Sequence, residues 1–340
     1  MRAWLLDATD GPGSFRLSDV DVPETGPGKV RVGLRAIGLN HLDIWVSQGR
    51  PAPKSFPHIA GADGAGVVEE VGEGVAGWTV GDEVIIDPTV SCGECEPCLR
   101  GDNVFCKQFS ILGETVDGTL AESVVVGANQ LRLKPRELGW VEAGTFGLVT
   151  GTAYRMLARA RLRAGESVLV VGVGGGVAST AALMARAMDA RVLVTSRSAD
   201  KVGWALDHGA EAAFDSATEF SKDVKNHLGS GVDVVVENVG PATWNQSVRS
   251  LAPGGRMVVC GGTSGTEVPL HLPTLFYKQL EIIGSTMATR AEFARALELV
   301  STGKLAVAID RVYPFEELPA AMARLDAGEQ IGKLALTLGG

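Results

Sequence analysis

The stretch from Ser167 to Ala185 constrains the fold of this chain more than any other. Four apolar residues, mostly β-branched valine, occupy 168–171, a run too short for a helix and typical of a buried parallel strand. Four glycines follow within five residues, and an alanine-rich segment at 177–188 then contains good helix formers and no helix breaker. This order predicts an anion cradle, because the N–H groups at a helix N-terminus carry partial positive charge and glycine lets a phosphate approach the backbone.

Two other interpretations of this stretch have to be weighed. An uncharged run of this length could span a membrane, but the four glycines and the repeated strand–helix pattern that follows argue against a transmembrane helix. An ordinary strand–helix turn without a ligand also stays open. The G-x-G-x-x-G spacing is imperfect, because Val177 stands where the third glycine belongs.

Composition narrows the class of protein. A chain of 340 residues favours two domains, and its net charge of −9 argues against nucleic acid and anionic membrane surfaces as partners. The N-terminal segment reaches an acid at Asp7, so no signal peptide is expected and a cytoplasmic location is predicted. Four of the five cysteines form one tight group, which in such a protein suggests metal thiolates before disulfides.

The chain changes character along its length. Residues 1 to about 130 contain short strands separated by Gly and Pro, which predicts a small barrel or sandwich. The pattern becomes helical from Glu137, and from Ser167 strands alternate with helices, which predicts a doubly wound parallel sheet. The last 50 residues or so are expected to return to the first domain, giving domains at 1–147 with 288–340, and at 148–287. The predicted strands of the second domain are 167–171, 191–195, 232–236, 256–260 and 280–283, and its predicted helices are 177–188, 200–208, 218–228 and 242–251.

Cys92, Cys95, Cys98 and Cys106 form the sharpest motif. Four thiolates at this spacing can close a tetrahedral shell around Zn²⁺, and the loop at 92–106 would gain order from the metal. A closed shell leaves no open position, so one structural zinc is predicted, with disulfides or idle thiols as the alternatives. Cys260 is expected to be a buried core residue.

Taken together, these features resemble the medium-chain dehydrogenase/reductase superfamily, which includes zinc-type alcohol dehydrogenases and quinone oxidoreductases. The resemblance implies an α/β protein with a GroES-like β-barrel catalytic domain, a Rossmann nucleotide-binding domain, and a homodimer or homotetramer. Besides the cysteine loop and the glycine turn, the matching stretches are GLNHLD (38–43), GADGAGVVEEVG (61–72), VGDEV (80–84), ILGETVDGTLAE (111–122) and GSTMATRAEF (284–293).

The departures from the family pattern bear on the chemistry. Where the alcohol dehydrogenases of the superfamily place the ligands of a catalytic zinc, this chain has Asn40, Ala62 and Phe146. Leu42 stands where a proton-relay hydroxyl belongs, and neither it nor Ala62 or Phe146 can bind a metal or pass a proton. Asp63 stands where a second acidic group would be. This pattern resembles the zinc-independent, quinone oxidoreductase side of the superfamily.

Three neighbouring residues are the candidate catalytic groups: Asn40, His41 and Asp43. The Asn40 amide could donate a hydrogen bond to the substrate oxygen, with His41 or water assisting. A shifted zinc site built from His41, His58 and Asp63 is the alternative, although open catalytic sites need three convergent ligands.

The residues after the second strand of the nucleotide domain predict the cofactor. NAD-specific enzymes place an acid there, whereas this chain has Ser196 and Arg197, with Lys201 beyond. The absence of the acid and the presence of two cations suit a 2′-phosphate, so NADPH is favoured over NADH. The alternative is that Arg197 and Lys201 are only surface residues at the start of a solvated helix. By resemblance, His41 and Lys333 would reach the pyrophosphate, and two later strand ends would flank the ribose and nicotinamide. The predicted cofactor-binding residues are His41, Thr150, Gly172, Gly174, Gly175, Gly176, Val177, Ser196, Arg197, Lys201, Asn238, Val239, Gly240, Gly261, Gly262, Thr263 and Lys333.

The sequence therefore predicts an NADPH-dependent oxidoreductase that reduces quinones, enones or related small carbonyl compounds without a catalytic zinc. A zinc-dependent alcohol dehydrogenase with a rearranged site and a non-catalytic NADPH-binding protein are the alternatives. The stretch 268–283 is a candidate for pairing between the sheets of two subunits.

Overall fold

The computed structural model describes residues 1–339 as an α/β protein. Its strands are β1 (Arg2–Leu6), β2 (Phe15–Asp19), β3 (Lys29–Leu39), β4 (Asp63–Val71), β5 (Glu83–Ile86), β6 (Thr89–Val90), β7 (Ser110–Ile111), β8 (Ser123–Gly127), β9 (Leu131–Leu133), β10 (Ser167–Val170), β11 (Arg191–Ser196), β12 (Ala212–Asp215), β13 (Val232–Glu237), β14 (Leu251–Val259), β15 (Glu281–Gly284), β16 (Ile309–Pro314) and β17 (Lys333–Thr337). Its helices are α1 (His41–Ser47), α2 (Glu96–Leu99), α3 (Trp140–Thr145), α4 (Gly147–Arg159), α5 (Gly176–Ala187), α6 (Ala199–Asp207), α7 (Phe220–Leu228), α8 (Trp244–Ser250), α9 (Leu272–Tyr277), α10 (Arg290–Ser301) and α11 (Leu318–Asp326).

The chain divides into two compact units. The first comprises Met1–Gly151, Ala288–Ser301 and the chain from Ile309 onward, and the second comprises Thr152–Met287 and Thr302–Ala308. The predicted boundary before residue 288 coincides with this division. The other boundary lies within α4 instead of at residue 147, and the segment 302–308 joins the second unit.

In the first unit, the long strand β3 organises the main sheet. One edge of β3 pairs with β4, and its other edge pairs with β8 near its start and with β17 near its end. All three pairings are antiparallel, so the C-terminal end of β3 lies beside the N-terminal ends of β4 and β17. Gly38 is opposite Asp63, and Leu39 is opposite Leu334. This register brings three distant segments of the chain together at the same end of these neighbouring strands.

The second unit contains a six-stranded parallel sheet with the order β12-β11-β10-β13-β14-β15. The order reverses between β10 and β13, and in such sheets ligands bind outside the carboxyl ends of the strands at this switch point. All five predicted strands are present. Strand β12 is not among the predicted strands, because its residues AAFD lack the β-branched character of a typical strand.

The uncharged stretch at 167–185 is divided between β10 and α5. Within residues 1–339, no helix has the length and apolar character needed to cross a bilayer. The transmembrane interpretation of this stretch is therefore wrong.

Candidate functional site

The four clustered cysteines converge on one point of the first unit. Their sulfur atoms all lie within 4.8 Å of one another, and Cys92 Sγ is 3.5 Å from Cys106 Sγ and 3.9 Å from Cys98 Sγ. A tetrahedral shell with Zn–S bonds of about 2.3 Å separates its sulfurs by about 3.8 Å. The backbone N–H groups of Cys92 and Gln108 both point at Cys106 Sγ, at 3.3 Å, which favours the thiolate. All five cysteines of the chain are free, so the residues fit zinc and do not form the alternative disulfides.

Arg290 ties this cysteine loop to the start of α10. Its backbone N–H donates to Asn103 Oδ1 at 3.0 Å, and its Nη2 donates to Ser91 Oγ at 2.9 Å. Ser91 and Asn103 lie at the two ends of the loop. Arg290 could not be predicted from sequence as a support of this loop, because its partners are nearly 200 residues away in the chain.

A second polar group lies in the main sheet where the C-terminal end of β3 meets the N-terminal ends of β4 and β17. We call Asn40, Asp43, Asp63 and Lys333 the strand-end cluster. All four are buried, with Lys333 2% and Asp63 0% exposed. The Lys333 ammonium donates to Leu39 O at 2.7 Å, to Asn40 Oδ1 at 2.6 Å and to Asp63 Oδ2 at 3.0 Å. Three acceptors thus use the three N–H groups of the ammonium.

These contacts bear on the roles predicted for Asn40 and Lys333. Asn40 Nδ2 donates to Asp63 Oδ2 at 2.9 Å and to Gly38 O at 3.3 Å, so both amide N–H groups point into the protein. In this arrangement Asn40 has no N–H left for a substrate oxygen. Lys333 likewise has no N–H left for the predicted pyrophosphate contact.

Asp63 joins the strand-end cluster to helix α4. Its Oδ1 accepts a hydrogen bond from the backbone N–H of Leu148, in the first turn of the helix, at 2.6 Å. Gly147 begins α4, and a Cβ there would lie 2.7 Å from Asp63 Oδ1. Glycine is therefore required for the carboxylate to approach the helix start. Thr119 Oγ1 also holds the Asp63 backbone carbonyl, at 2.8 Å.

Asp43 and His41 lie on the first turn of α1. The Asp43 carboxylate accepts from the Asn40 backbone N–H at 2.7 Å and so caps the helix. Burial raises the pKa of Asp43 to about 7, although the bond from Asn40 and the charge of Lys333 oppose this shift. His41 packs edge-on against Trp45, and burial lowers the pKa of its imidazole, which is therefore neutral at neutral pH.

The positions matching catalytic zinc ligands are apolar apart from Asn40. Ala62 and Phe146 are fully buried, and the Phe146 ring packs edge-on against Phe293 with 5.1 Å between centroids. His58 points elsewhere: its Nε2 faces Gly113 O at 3.0 Å.

In the part of the chain that the structure describes, the four cysteines are the one group of three or more potential metal ligands that converges. The alternative site built from His41, His58 and Asp63 is therefore not assembled.

In the second unit, the glycine turn has the backbone geometry expected of an anion cradle. Gly172 and Gly174 have φ angles of 74° and 127°, in the left-handed region that favours glycine. Thr195 supports the turn, because its Oγ1 accepts from Gly172 N at 3.1 Å. Gly175 precedes α5, and nothing lies within 4 Å of the place where its Cβ would be. The N-terminus of α5, with Gly176 and Val177 as its first residues, is open on this side.

The three residues predicted to recognise a 2′-phosphate lie at or after the end of β11. Ser196 ends β11, and the exposed Arg197 follows it directly. The side chain of Lys201 instead lies over the glycine turn, since a Cβ on Gly174 would be 2.4 Å from Lys201 Cδ. The glycine turn also bonds to the end of β11, since Val173 N donates to Thr195 O at 2.8 Å.

A buried carboxylate missed by the sequence analysis shapes the loop after β13. Glu237 is fully buried, and one of its oxygens accepts from Val239 N at 2.7 Å and from Gly240 N at 3.0 Å. Thr243 and Ser247 donate their hydroxyls to the same carboxylate. The sequence does contain a signal for this buried carboxylate, because Glu237 ends a run of valines in which burial is expected.

The loops predicted to flank ribose and nicotinamide pack against each other. Thr263 N donates to Asn238 O at 3.2 Å, and a Cβ on Gly240 would lie 3.2 Å from Gly262 Cα. Gly261 lies in the same segment, after β14. The neighbouring Cys260 is half-buried, and burial raises the pKa of its thiol to about 12.

Comparison with known proteins fits both units. Residues 26–136 match the alcohol dehydrogenase GroES-like domain, and residues 176–302 match the zinc-binding dehydrogenase domain. The acryloyl-coenzyme A reductase of Metallosphaera sedula is 32% identical over 324 residues, covering 95% of this chain and 96% of that protein. The chain belongs to the medium-chain dehydrogenase/reductase superfamily.

Solved structures of this medium-chain dehydrogenase/reductase superfamily have the same fold. An NAD-dependent alcohol dehydrogenase matches with a TM-score of 0.95 and 40% identity over the full length of both chains. A crotonyl-CoA carboxylase/reductase in complex with NADP matches with a TM-score of 0.92 and 26% identity, covering 99% of this chain and 94% of that one. The predicted fold class and superfamily are confirmed. The protein is an oxidoreductase, and its relatives support a nicotinamide cofactor.

Proposed function

We propose that this protein is an NADPH-dependent reductase of conjugated carbonyl compounds, such as quinones, enones and 2-enoyl thioesters, that needs no catalytic zinc. The observation that carries the proposal is the composition of the strand-end cluster and its neighbours. Ala62 and Phe146 offer no metal ligand, and the Lys333 ammonium lies between Asn40 and Asp63. The names of the acyl-CoA reductases among its relatives support the thioester class.

The strand-end cluster and its neighbours, which offer no zinc ligand set, suit reduction of an activated double bond better than oxidation of an alcohol. An alcohol hydroxyl, a much weaker acid than a phenol, must lose its proton, and the superfamily's alcohol dehydrogenases bind that oxygen to zinc. A conjugated acceptor needs less help, because hydride addition leaves a delocalised anion: a phenolate from a quinone, whose conjugate acid has a pKa of about 10, or an enolate from an enone or enoyl thioester. A proton from water then completes the reduction. When bound, NADPH supplies the hydride. The protein then has to position the reactants and exclude water.

We assign cofactor choice to the end of β11. Ser196 replaces the acid that binds the ribose hydroxyls in NAD-specific enzymes, and the exposed Arg197 beside it has no ion-pair partner within residues 1–339. A guanidinium can bind a 2′-phosphate bidentately. Lys201, which lies over the glycine turn, is then placed to approach the pyrophosphate.

We also propose one structural zinc per chain, held by Cys92, Cys95, Cys98 and Cys106. Four thiolates complete its tetrahedral shell, so the metal would stabilise the loop and leave no position for a substrate. This proposal rests on the separations between the sulfur atoms.

A zinc alcohol dehydrogenase is the second candidate, because an alcohol dehydrogenase structure shares 40% of its residues with this chain. One assay separates the two functions. Protein of known metal content is tested with NADPH and NADH against quinones, enones and 2-enoyl thioesters, and with NADP⁺ and NAD⁺ against primary and secondary alcohols. We expect reduction of at least one conjugated class with NADPH. Efficient alcohol oxidation without reduction of any conjugated acceptor would contradict the proposal.

A further inference from the structure

The Lys333 ammonium connects the starts of two helices in the first unit. On one side it bonds to Asn40, the residue directly before α1. On the other side it bonds to Asp63 Oδ2, while Asp63 Oδ1 holds the Leu148 N–H in the first turn of α4. One cation therefore fixes the groups that hold both helix starts.

Each of these helices carries a residue predicted to contact the cofactor. His41 is the first residue of α1, and Thr150 lies in the first turns of α4 and is buried. Three of the four residues of the strand-end cluster, Asn40, Asp63 and Lys333, lie on different strand ends or beside them, and each of the three bonds to the other two. A change at Lys333 should therefore be transmitted to both helices.

The ammonium and the Asp63 carboxylate depend on each other. Both are almost completely buried, and a buried charge without its partner is strongly destabilising. Asn40 and Asp63 stand where zinc-type members of the superfamily have a metal ligand and an acidic group, and here their oxygens meet on an ammonium.

We propose that Lys333 is a positioning residue for hydride transfer: as a built-in cation it holds the starts of α1 and α4, the organising role that a metal would otherwise have at this edge of the sheet. This inference rests on the proposed reductase function. It replaces the role predicted from the sequence, in which Lys333 binds the cofactor pyrophosphate.

Lys333→Met removes the charge and keeps the length of the side chain, but it leaves Asp63 buried without a partner. We expect the unfolding temperature to fall by about 10 °C. The double variant Lys333→Met with Asp63→Asn removes both charges. An amide at position 63 can still accept from Leu148 N–H, and it can donate to Asn40 Oδ1 once the Asn40 amide, whose Nδ2 faces Asp63 in wild type, has turned over. The double variant should therefore unfold within about 3 °C of wild type.

The double variant tests positioning separately from folding. We expect kcat for a conjugated acceptor to fall about 10- to 100-fold, with the Kd for NADPH within about threefold of wild type. Amide hydrogens of 41–47 and 147–151 should exchange at least about tenfold faster. The single variant Lys333→Arg keeps the charge, and its kcat should lie between those of the double variant and wild type. Arg16→Met, which breaks the exposed pair with Asp7 in the same unit, should change none of these values.

The outcomes are distinguishable. A wild-type kcat and unchanged amide exchange in the double variant would overturn the proposal. An NADPH affinity at least about tenfold weaker with an unchanged kcat would assign Lys333 to the pyrophosphate instead. If wild-type protein reduces no conjugated acceptor, the proposed function fails. Amide exchange in α1 and α4 would then still show whether Lys333 holds the two helix starts, and unchanged exchange would refute that part as well.

Discussion

At the scale of single residues, Asp43 gives the strand-end cluster its sensitivity to pH. Burial raises its pKa to about 7 in the folded protein, against an ordinary value near 4 in the unfolded chain. The folded state thus binds the proton more tightly than the unfolded chain. Protonated Asp43 therefore contributes its full share to the free energy of unfolding below about pH 4, and this contribution is lost as the pH rises through about 7.

This shift predicts a pH-dependent difference between wild type and Asp43→Asn. An asparagine at this position keeps an oxygen for the Asn40 N–H but does not titrate. Between pH 5 and pH 7, the free energy of unfolding of wild type should fall by about 2–3 kcal/mol relative to the variant. Urea unfolding at several pH values measures this difference. A constant difference across the range would mean that Asp43 stays ionised when folded.

Arg197 determines the second prediction at this scale. A charge-assisted contact with a 2′-phosphate is worth about 1.5–3 kcal/mol, so Arg197→Ala should weaken NADPH binding roughly 10- to 100-fold and leave NADH binding almost unchanged. Fluorescence titration with each cofactor measures this. Arg191→Ala, at the other end of β11, is the matched control, because Arg191 pairs with Glu211. Equal losses for both cofactors would assign Arg197 to a contact that they share.

At the scale of elements, the cysteine loop should depend on its metal. Cys106→Ser removes one of the four sulfurs, and we expect the zinc content to fall from about one equivalent to well below one, with faster proteolysis within 92–106. Elemental analysis and limited digestion measure the two effects. Cys260→Ser should leave both unchanged, because Cys260 is outside the cluster. About two equivalents of zinc in wild type would contradict the proposal of a single structural metal.

The elements with strong local patterns could be predicted from sequence, and the contacts between distant elements could not. The glycines after β10 indicate the strand–turn–helix order within one short stretch. The four cysteines lie within fifteen residues of sequence, so their spacing alone predicts a shared metal. Lys333 and Asp63 are 270 residues apart, so their pairing depends on the register of β3 with β4 and β17. The bond from Asn40 Nδ2 to Asp63 likewise depends on the pairing of β3 with β4 and is not visible in the sequence.

At the scale of the whole molecule, β15 leaves one edge of the parallel sheet unpaired within residues 1–339. Apolar side chains near this edge are exposed, including Leu272, Phe276 and Tyr277 on α9 and Ile282 on β15. Unpaired strand edges and exposed apolar patches favour association with another chain. The predicted homodimer or homotetramer would bury them.

Ile282→Lys should therefore weaken association between subunits, because it places a charge on the free edge of the sheet. Sedimentation velocity over a range of protein concentrations should show a smaller species than wild type. Val80→Lys, at an exposed turn of the first unit, is the control and should sediment like wild type. A wild-type protein that sediments as a monomer at every concentration would refute the predicted oligomer.

The distance along the chain between Lys333 and Asp63 also sets an order of events during synthesis. Ribosomes add about 5–20 residues per second, so Lys333 is made roughly 15–50 s after Asp63. During that interval the carboxylate has no ammonium to pair with, and the edge of the main sheet cannot close around it. Most of the second unit, by contrast, comes from the unbroken segment 152–287 and can fold while the first unit still lacks β17. In the nascent chain, the nucleotide-binding sheet would therefore be complete before the strand-end cluster.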